Sequence, residues 1–249
     1  MNEFAFQAHA ACVVAKKNAK VYYLKPPVFS FGLIFPFFSY LAFAAGHRAP
    51  PETLAPGIVA MALFFTASAV GPLVTPWERQ ARTYERLVTS PASLTAILAG
   101  DVLAGAAFGT VLVLLPLALV ASLTDASIVA PLPLALGIVI GALAFAGLGV
   151  LLAAPAAEGR SQVMMLSNLV RLPLIFVSGV FVPLSEMPEW GQWLAPLSPL
   201  SYAADLIRVG FGEAGHWSSV VDARALVGFT AAFVVFAYRL HLRTRDRAR

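Results

Sequence analysis

Charge comes in clusters along this chain, and between the clusters lie stretches of about 20 residues with almost no ionisable side chain. A backbone wrapped in apolar side chains for that length is stable as a helix crossing a bilayer, where each amide and carbonyl is satisfied within the segment. The pattern predicts an all-α polytopic membrane protein. Composition agrees: 59% of the 249 residues are hydrophobic and 12% are charged, whereas soluble domains carry about 25% charged residues.

Six spans are expected, over Val28–Gly46, Thr53–Thr75, Leu98–Leu123, Leu132–Ala154, Gln162–Val182 and Ala225–Leu240. Pro36 is read as a kink inside the first and Pro76 as the stop of the second. In the fourth, Gly137, Gly141, Ala144, Gly147 and Gly149 allow neighbouring helices to approach closely. Neither an internal repeat nor a soluble domain is visible, so residues 1–249 read as one transmembrane domain.

Residues 1–27 are too charged to cross a membrane. Lys16, Lys17, Lys20 and Lys25 alternate with Val13, Val14, Val21, Tyr22, Tyr23 and Leu24, which suggests an amphipathic helix lying in the membrane surface. Pro26 and Pro27 end it. Nothing here has the order of a signal peptide, so this segment is expected to be retained.

Of the 17 lysines and arginines, thirteen fall on one side of the expected spans: four before Pro26, three after span two, Arg160, and five from Arg239 onward. The positive-inside rule then places both termini in the cytoplasm, with 241–249 as a cytoplasmic tail, in a multi-pass protein of the cell membrane. The basic charge is a record of orientation, and no nucleic-acid partner is expected. Cys12 is the only cysteine, which excludes an internal disulfide and a multi-cysteine metal site.

Two segments interrupt the simple pattern. After span two, Glu78, Arg79, Arg82, Glu85 and Arg86 fall at helical neighbour spacing, and Ser90-Pro91 is read as starting the next helix with proline at its first position. The second segment, Val163 to Arg208, is an apolar run broken at Ser178-Gly179, Pro183, Pro188, Pro196 and Pro199. Repeated breaks in an apolar chain suggest helices that enter the membrane and return, over residues 183–208. Trp190 and Trp193 read as interfacial anchors or as the rim of an outer cavity.

Ionisable groups inside the spans are few. Arg171 lies within span five, where an arginine marks a functional site, snorkels to the surface, or pairs with a carboxylate. Asp101 is expected near a helix N-terminus. Asp205 and Arg208, three apart, are placed to pair with each other. No G-x-x-x-x-G-K-[ST] loop is present, nor H-E-x-x-H, nor G-x-S-x-G, and the four histidines are scattered. No catalytic residue, metal site or bound cofactor is expected.

The runs Glu85–Pro91, Ser178–Leu184, Met187–Trp190 and Pro199–Arg208, in this order on a six-span chain, resemble the permease subunits of ATP-binding-cassette (ABC) exporters of the type-2 family. The resemblance covers nearly the whole chain. It implies that residues 1–27 are a connecting elbow helix, and that Glu78–Pro91 is a coupling helix docked on a separate cytoplasmic ATPase, which would hold ATP and Mg. A smaller contact at Ala156–Gln162 and two re-entrant helices closing the outer side are also implied. Two permease copies, as a homodimer in membrane lipid, would pass a drug, lipid or lipid-linked molecule outward along spans one, two and five. A polysaccharide or lipooligosaccharide cargo is the alternative within the family. Outside it stand an intramembrane hydrolase, which would need a catalytic set among Asp101, Arg171, Asp205 and Arg208, and a scaffold protein without transport.

Overall fold

The computed structural model describes residues 3–21, 30–46, 51–80, 91–124, 126–154 and 160–247, and every regular element among them is helical. The longer helices are α1 (Glu3–Val21), α2 (Phe35–Gly46), α3 (Ala55–Ser68), α4 (Val70–Gln80), α5 (Leu94–Leu112), α6 (Leu114–Leu123), α7 (Pro131–Ala153) and α8 (Arg160–Phe176). The short α9 (Glu189–Leu194) then precedes α10 (Pro199–Gly210) and α11 (Ser219–Arg247). A π turn, Ser30–Ile34, leads into α2, and 3-10 turns occupy Pro51–Leu54, Leu184–Glu186 and Ala195–Leu197.

Four helical runs are long and apolar enough to cross a membrane: Ala55–Glu78, Leu94–Ser122, Pro131–Ala153 and Ser219–Leu242. Ser161–Phe176 is apolar but shorter. Helix α7, with 23 residues, rises about 35 Å, enough for a hydrocarbon core of about 30 Å.

Helix α7 is the axis of the bundle, with α3, α4, α5, α10 and α11 packed around it. Its small residues make that possible. A Cβ on Gly137 would meet Leu206 and Ile207, one on Gly141 would meet Ala203, and one on Gly147 would meet Phe233. Each neighbour thus approaches through a glycine or alanine stripe, the way helices gain contact where lipid offers no hydrophobic drive. Helix α3 is buried along its entire length. Phe64 meets Phe145 edge-on there, ring centroids 5.0 Å apart, the favoured geometry for an aromatic pair. Helix α11 lies at the periphery and exposes Val220, Val227, Val235 and Phe236.

Several expectations need correction. Pro76 lies inside α4 and does not stop it; the run Ala55–Gln80 is interrupted at Ala69 instead. Pro36 is the second residue of α2 and follows directly on the π turn Ser30–Ile34, so the helical path changes its winding just before the proline. Ser93 caps α5 through its side-chain oxygen, which accepts the Ala96 N–H at 3.2 Å; Pro91 stands before the cap rather than in the first turn. The last helix begins at Ser219 and runs to Arg247, longer at both ends than the expected span.

Candidate functional site

Polar groups in this apolar bundle concentrate at three levels. At one end, α1 lies along the start of α5. Ala11 and Val14 are buried against Gly100, where a Cβ would come within 2.7 Å of both the Ala11 carbonyl and the Val14 Cβ. The Lys17 ammonium pairs with Glu78, which is 5% exposed at the end of α4. Asn18 Nδ2 donates to Asp101 Oδ1 at 2.6 Å, both side chains buried. Gln7 Oε1 accepts the Ser93 N–H at 2.8 Å, and its Nε2 reaches the Pro91 carbonyl at 3.5 Å. One helix therefore holds both flanks of the charged segment, at Glu78 and at Pro91–Ser93. Asp101 sits eight residues into α5; its role at a helix N-terminus is overturned in favour of a bond across to α1. Arg82, Glu85, Arg86 and Ser90 lie outside the described residues, as do most of Ala156–Gln162 and the side chain of Arg79.

At mid-bundle, Arg171 is buried on α8 and donates through Nη2 to the backbone carbonyl of Ser68. It is 5% exposed, so it does not snorkel to the surface, and it meets no carboxylate among the described residues. Gly149 packs there as well, since a Cβ would come within 2.4 Å of the same oxygen.

The opposite end is a cap built from the broken segment. Helix α8 stops at Phe176, Ser178 Oγ donates to the Ile175 carbonyl at 2.6 Å, and Gly179 takes φ +76°, a conformation that favours glycine. Pro183 and Pro188 precede a 3-10 turn and α9, and Pro199 opens α10 behind Ser198. Ser198 Oγ donates to the Leu174 carbonyl at 3.2 Å, tying α10 to α8.

Asp205 and Arg208 do not pair with each other. Asp205 Oδ1 accepts the His216 N–H at 2.8 Å and Oδ2 the Trp217 N–H at 2.9 Å. Arg208 Nη2 donates to the Gly179 carbonyl at 2.8 Å, and Nη1 meets Glu213 Oε2 at 3.3 Å. Burial pushes the Glu213 carboxyl up, and the Arg208 guanidinium opposes it. A polar cavity of about 210 Å³ lies within this cap, between Gly179, Ser185, Ser201, Asp205, Arg208 and His216. Tyr202 stacks on Trp217 with centroids 4.7 Å apart. Trp190 and Trp193 stand outside, 61% and 82% exposed.

Sequence reasoning missed Gln7, Lys17, Asn18, Glu213 and Asp222. Asp222 is fully buried in the first turn of α11, close enough to Asp205 to feel its charge, and neither of its oxygens finds a donor among the described residues. An acid at the head of an apolar run was its one visible signal.

A polar clasp stands at each end of the apolar bundle, with no shared cluster between them among the described residues. A sequence profile described as "ABC-2 type transporter" matches residues 10–211. The chain belongs to the ABC-2 type transporter family. The permease is 27% identical over 229 residues to the inner membrane transport permease YadH of Escherichia coli K12, covering 89% of this chain and 88% of that protein. It is 30% identical over 217 residues to nodulation protein J of Bradyrhizobium diazoefficiens, covering 81% and 75%. With the daunorubicin resistance ABC transporter permease protein DrrB1 of Streptomyces coeruleorubidus it shares 34% identity over 98 residues, 39% of this chain and a third (33%) of that one. It is a multi-pass membrane protein and the permease subunit of an ABC transporter.

Proposed function

We propose that this permease is the membrane half of an exporter: two copies joined to two cytoplasmic ATPase subunits, moving a hydrophobic or amphipathic molecule outward. ATP and Mg belong to the partner. The observation that carries the reading is the clasp of α1 on both flanks of the charged segment. A loop meant to transmit force must be stiff at both ends, and Lys17 and Gln7 stiffen it. The segment itself, with Arg79, Arg82, Glu85 and Arg86, offers the charge a soluble partner needs.

The opposite cap then serves as the outer gate, formed by Ser178–Arg208 and held by Arg208 on Gly179. The apolar character of the cargo rests on a groove of about 400 Å³ bounded by α2, α3 and α6, lined by Phe37, Phe38, Ile58, Leu115 and Leu119. Pairing of two copies is supported by α8, which packs on α4 and α7 and leaves Met165, Leu169, Leu172 and Phe176 exposed. A hydrolase is disfavoured because Asp101, Arg171, Asp205 and Arg208 are each engaged in a structural bond.

Reversing the charges at Arg82, Glu85 and Arg86 tests this reading. The expected result is loss of both ATPase capture and efflux, with the permease still present in the membrane at its normal level. If capture and efflux both persist, the docking assignment is wrong.

A further inference from the structure

Three helices meet at one carbonyl. In a regular helix the Ser68 carbonyl accepts the amide of residue 72, but that residue is proline and has no hydrogen to give. The interruption between α3 and α4 falls at this place. The Ala69 N–H turns back to the Thr66 carbonyl at 3.4 Å, and the ladder resumes with Leu73 N–H on the Ala69 carbonyl at 3.1 Å. In an apolar interior a carbonyl without a donor is costly, because no water replaces the lost bond. Arg171, reaching across from α8, supplies the donor. Gly149 presses on the same oxygen from α7, and a Cβ on Gly71 would come within 2.0 Å of the Gly149 carbonyl. Arg171 forms no ion pair among the described residues, and its Nε is without a partner there. The Ser68 carbonyl is what holds it.

We propose that Arg171 is the pin of a hinge at Ser68–Pro72, replacing from a neighbouring helix the hydrogen bond that Pro72 removes and so letting α4 swing about a fixed α3. Helix α3 is buried throughout and anchored on α7. Helix α4 leads through Glu78, held by Lys17, into the charged segment. A guanidinium on a long stem can follow a carbonyl as it moves, where a backbone amide would fix it. A cavity of about 20 Å³ lined by Ala69, Pro72, Ser167 and Asn168 adjoins Arg171, so the packing at the break is not fully closed. Arg171 is a positioning residue, acting through the backbone of the second span. The inference rests on the permease reading above, since a hinge here is useful only if force arrives at the charged segment.

The test uses the permease with its ATPase, purified for thermal melting and reconstituted for transport. The variants are Arg171→Gln, Arg171→Lys, Pro72→Ala and the double variant Arg171→Gln with Pro72→Ala. Pro72→Ala gives the Ser68 carbonyl its own amide, so the two changes should be coupled. Arg171→Gln is expected to lower Tm by about 5 °C beside Pro72 and by less than half of that beside Ala. Transport per ATP hydrolysed should fall about tenfold in Arg171→Gln and in Pro72→Ala, with hydrolysis retained. Arg171→Lys, which keeps a charged donor on a long stem where Gln has only a shorter neutral one, should recover part of the transport. An equal Tm loss in both backgrounds, or full transport in Pro72→Ala, overturns the proposal. A wild-type complex that moves nothing with ATP overturns the permease reading instead, and the melting comparison still decides the pin.

Discussion

Asp205 and Arg208 sit one helical turn apart on α10, and each reaches away from the other. Asp205 spends both oxygens on the amides of His216 and Trp217, and Arg208 spends its fork on the Gly179 carbonyl and Glu213. The spacing of the two residues was legible in the sequence and suggested a local ion pair. Their true partners lie 11, 12, 29 and 5 positions away, and all but Glu213 are backbone groups that every residue carries, so no side-chain pattern could announce them. A carboxylate that satisfies two amides is worth more than a surface ion pair, because its loss leaves both donors unmet. Asp205→Ala should therefore destabilise the purified permease by about 2–4 kcal/mol, and limited proteolysis should cut first within residues 213–217. Unchanged melting and cleavage would show that the cap is held by something else.

Among the elements, α7 was the most legible, expected within one residue of both observed ends, because 23 residues without a charge admit one reading. Its glycines were legible too, although which neighbour each would meet was not. The second span was read less well. Pro76 looked like a stop, yet helices continue past a proline when neighbours satisfy the freed carbonyls, and the real interruption is at Ala69, three residues before Pro72, a proline the sequence reading passed over. The N-terminal helix was expected from its lysines, but its inward face is set by Gly100, Glu78 and Asp101, which are far off in the chain. A contrast between two glycines tests the packing. Gly149→Ala places a Cβ 2.4 Å from the Ser68 oxygen, with backbone on both sides, whereas Gly228 on α11 has nothing within 4 Å. Gly149→Ala should lower Tm by several degrees or abolish folding, and Gly228→Ala should be neutral or stabilise by up to about 1 kcal/mol. Equal effects in detergent melting would contradict the close crossing of α7 over the second span.

At the scale of the whole molecule, the permease is an apolar bundle with a polar clasp at either end and one arginine between them. The clasp of α1 on Glu78, Asp101 and Ser93 faces the ATPase in the proposed exporter, and the cap of Asp205, Arg208 and Gly179 faces outward. Between them runs the second span, buried along α3 and interrupted at Ala69, the path by which, in the proposed exporter, displacement at one end would reach the other. Opposite sidedness of the two clasps is the claim on which this account turns, and the chain offers a direct probe, since Cys12 is its only cysteine and is exposed on α1. A membrane-impermeant maleimide applied to intact cells should leave Cys12 untouched and label it after permeabilisation. In a Cys12→Ser background, Trp193→Cys should be labelled on intact cells at once. The reverse pattern, Cys12 reached from outside and position 193 only after permeabilisation, would contradict the account.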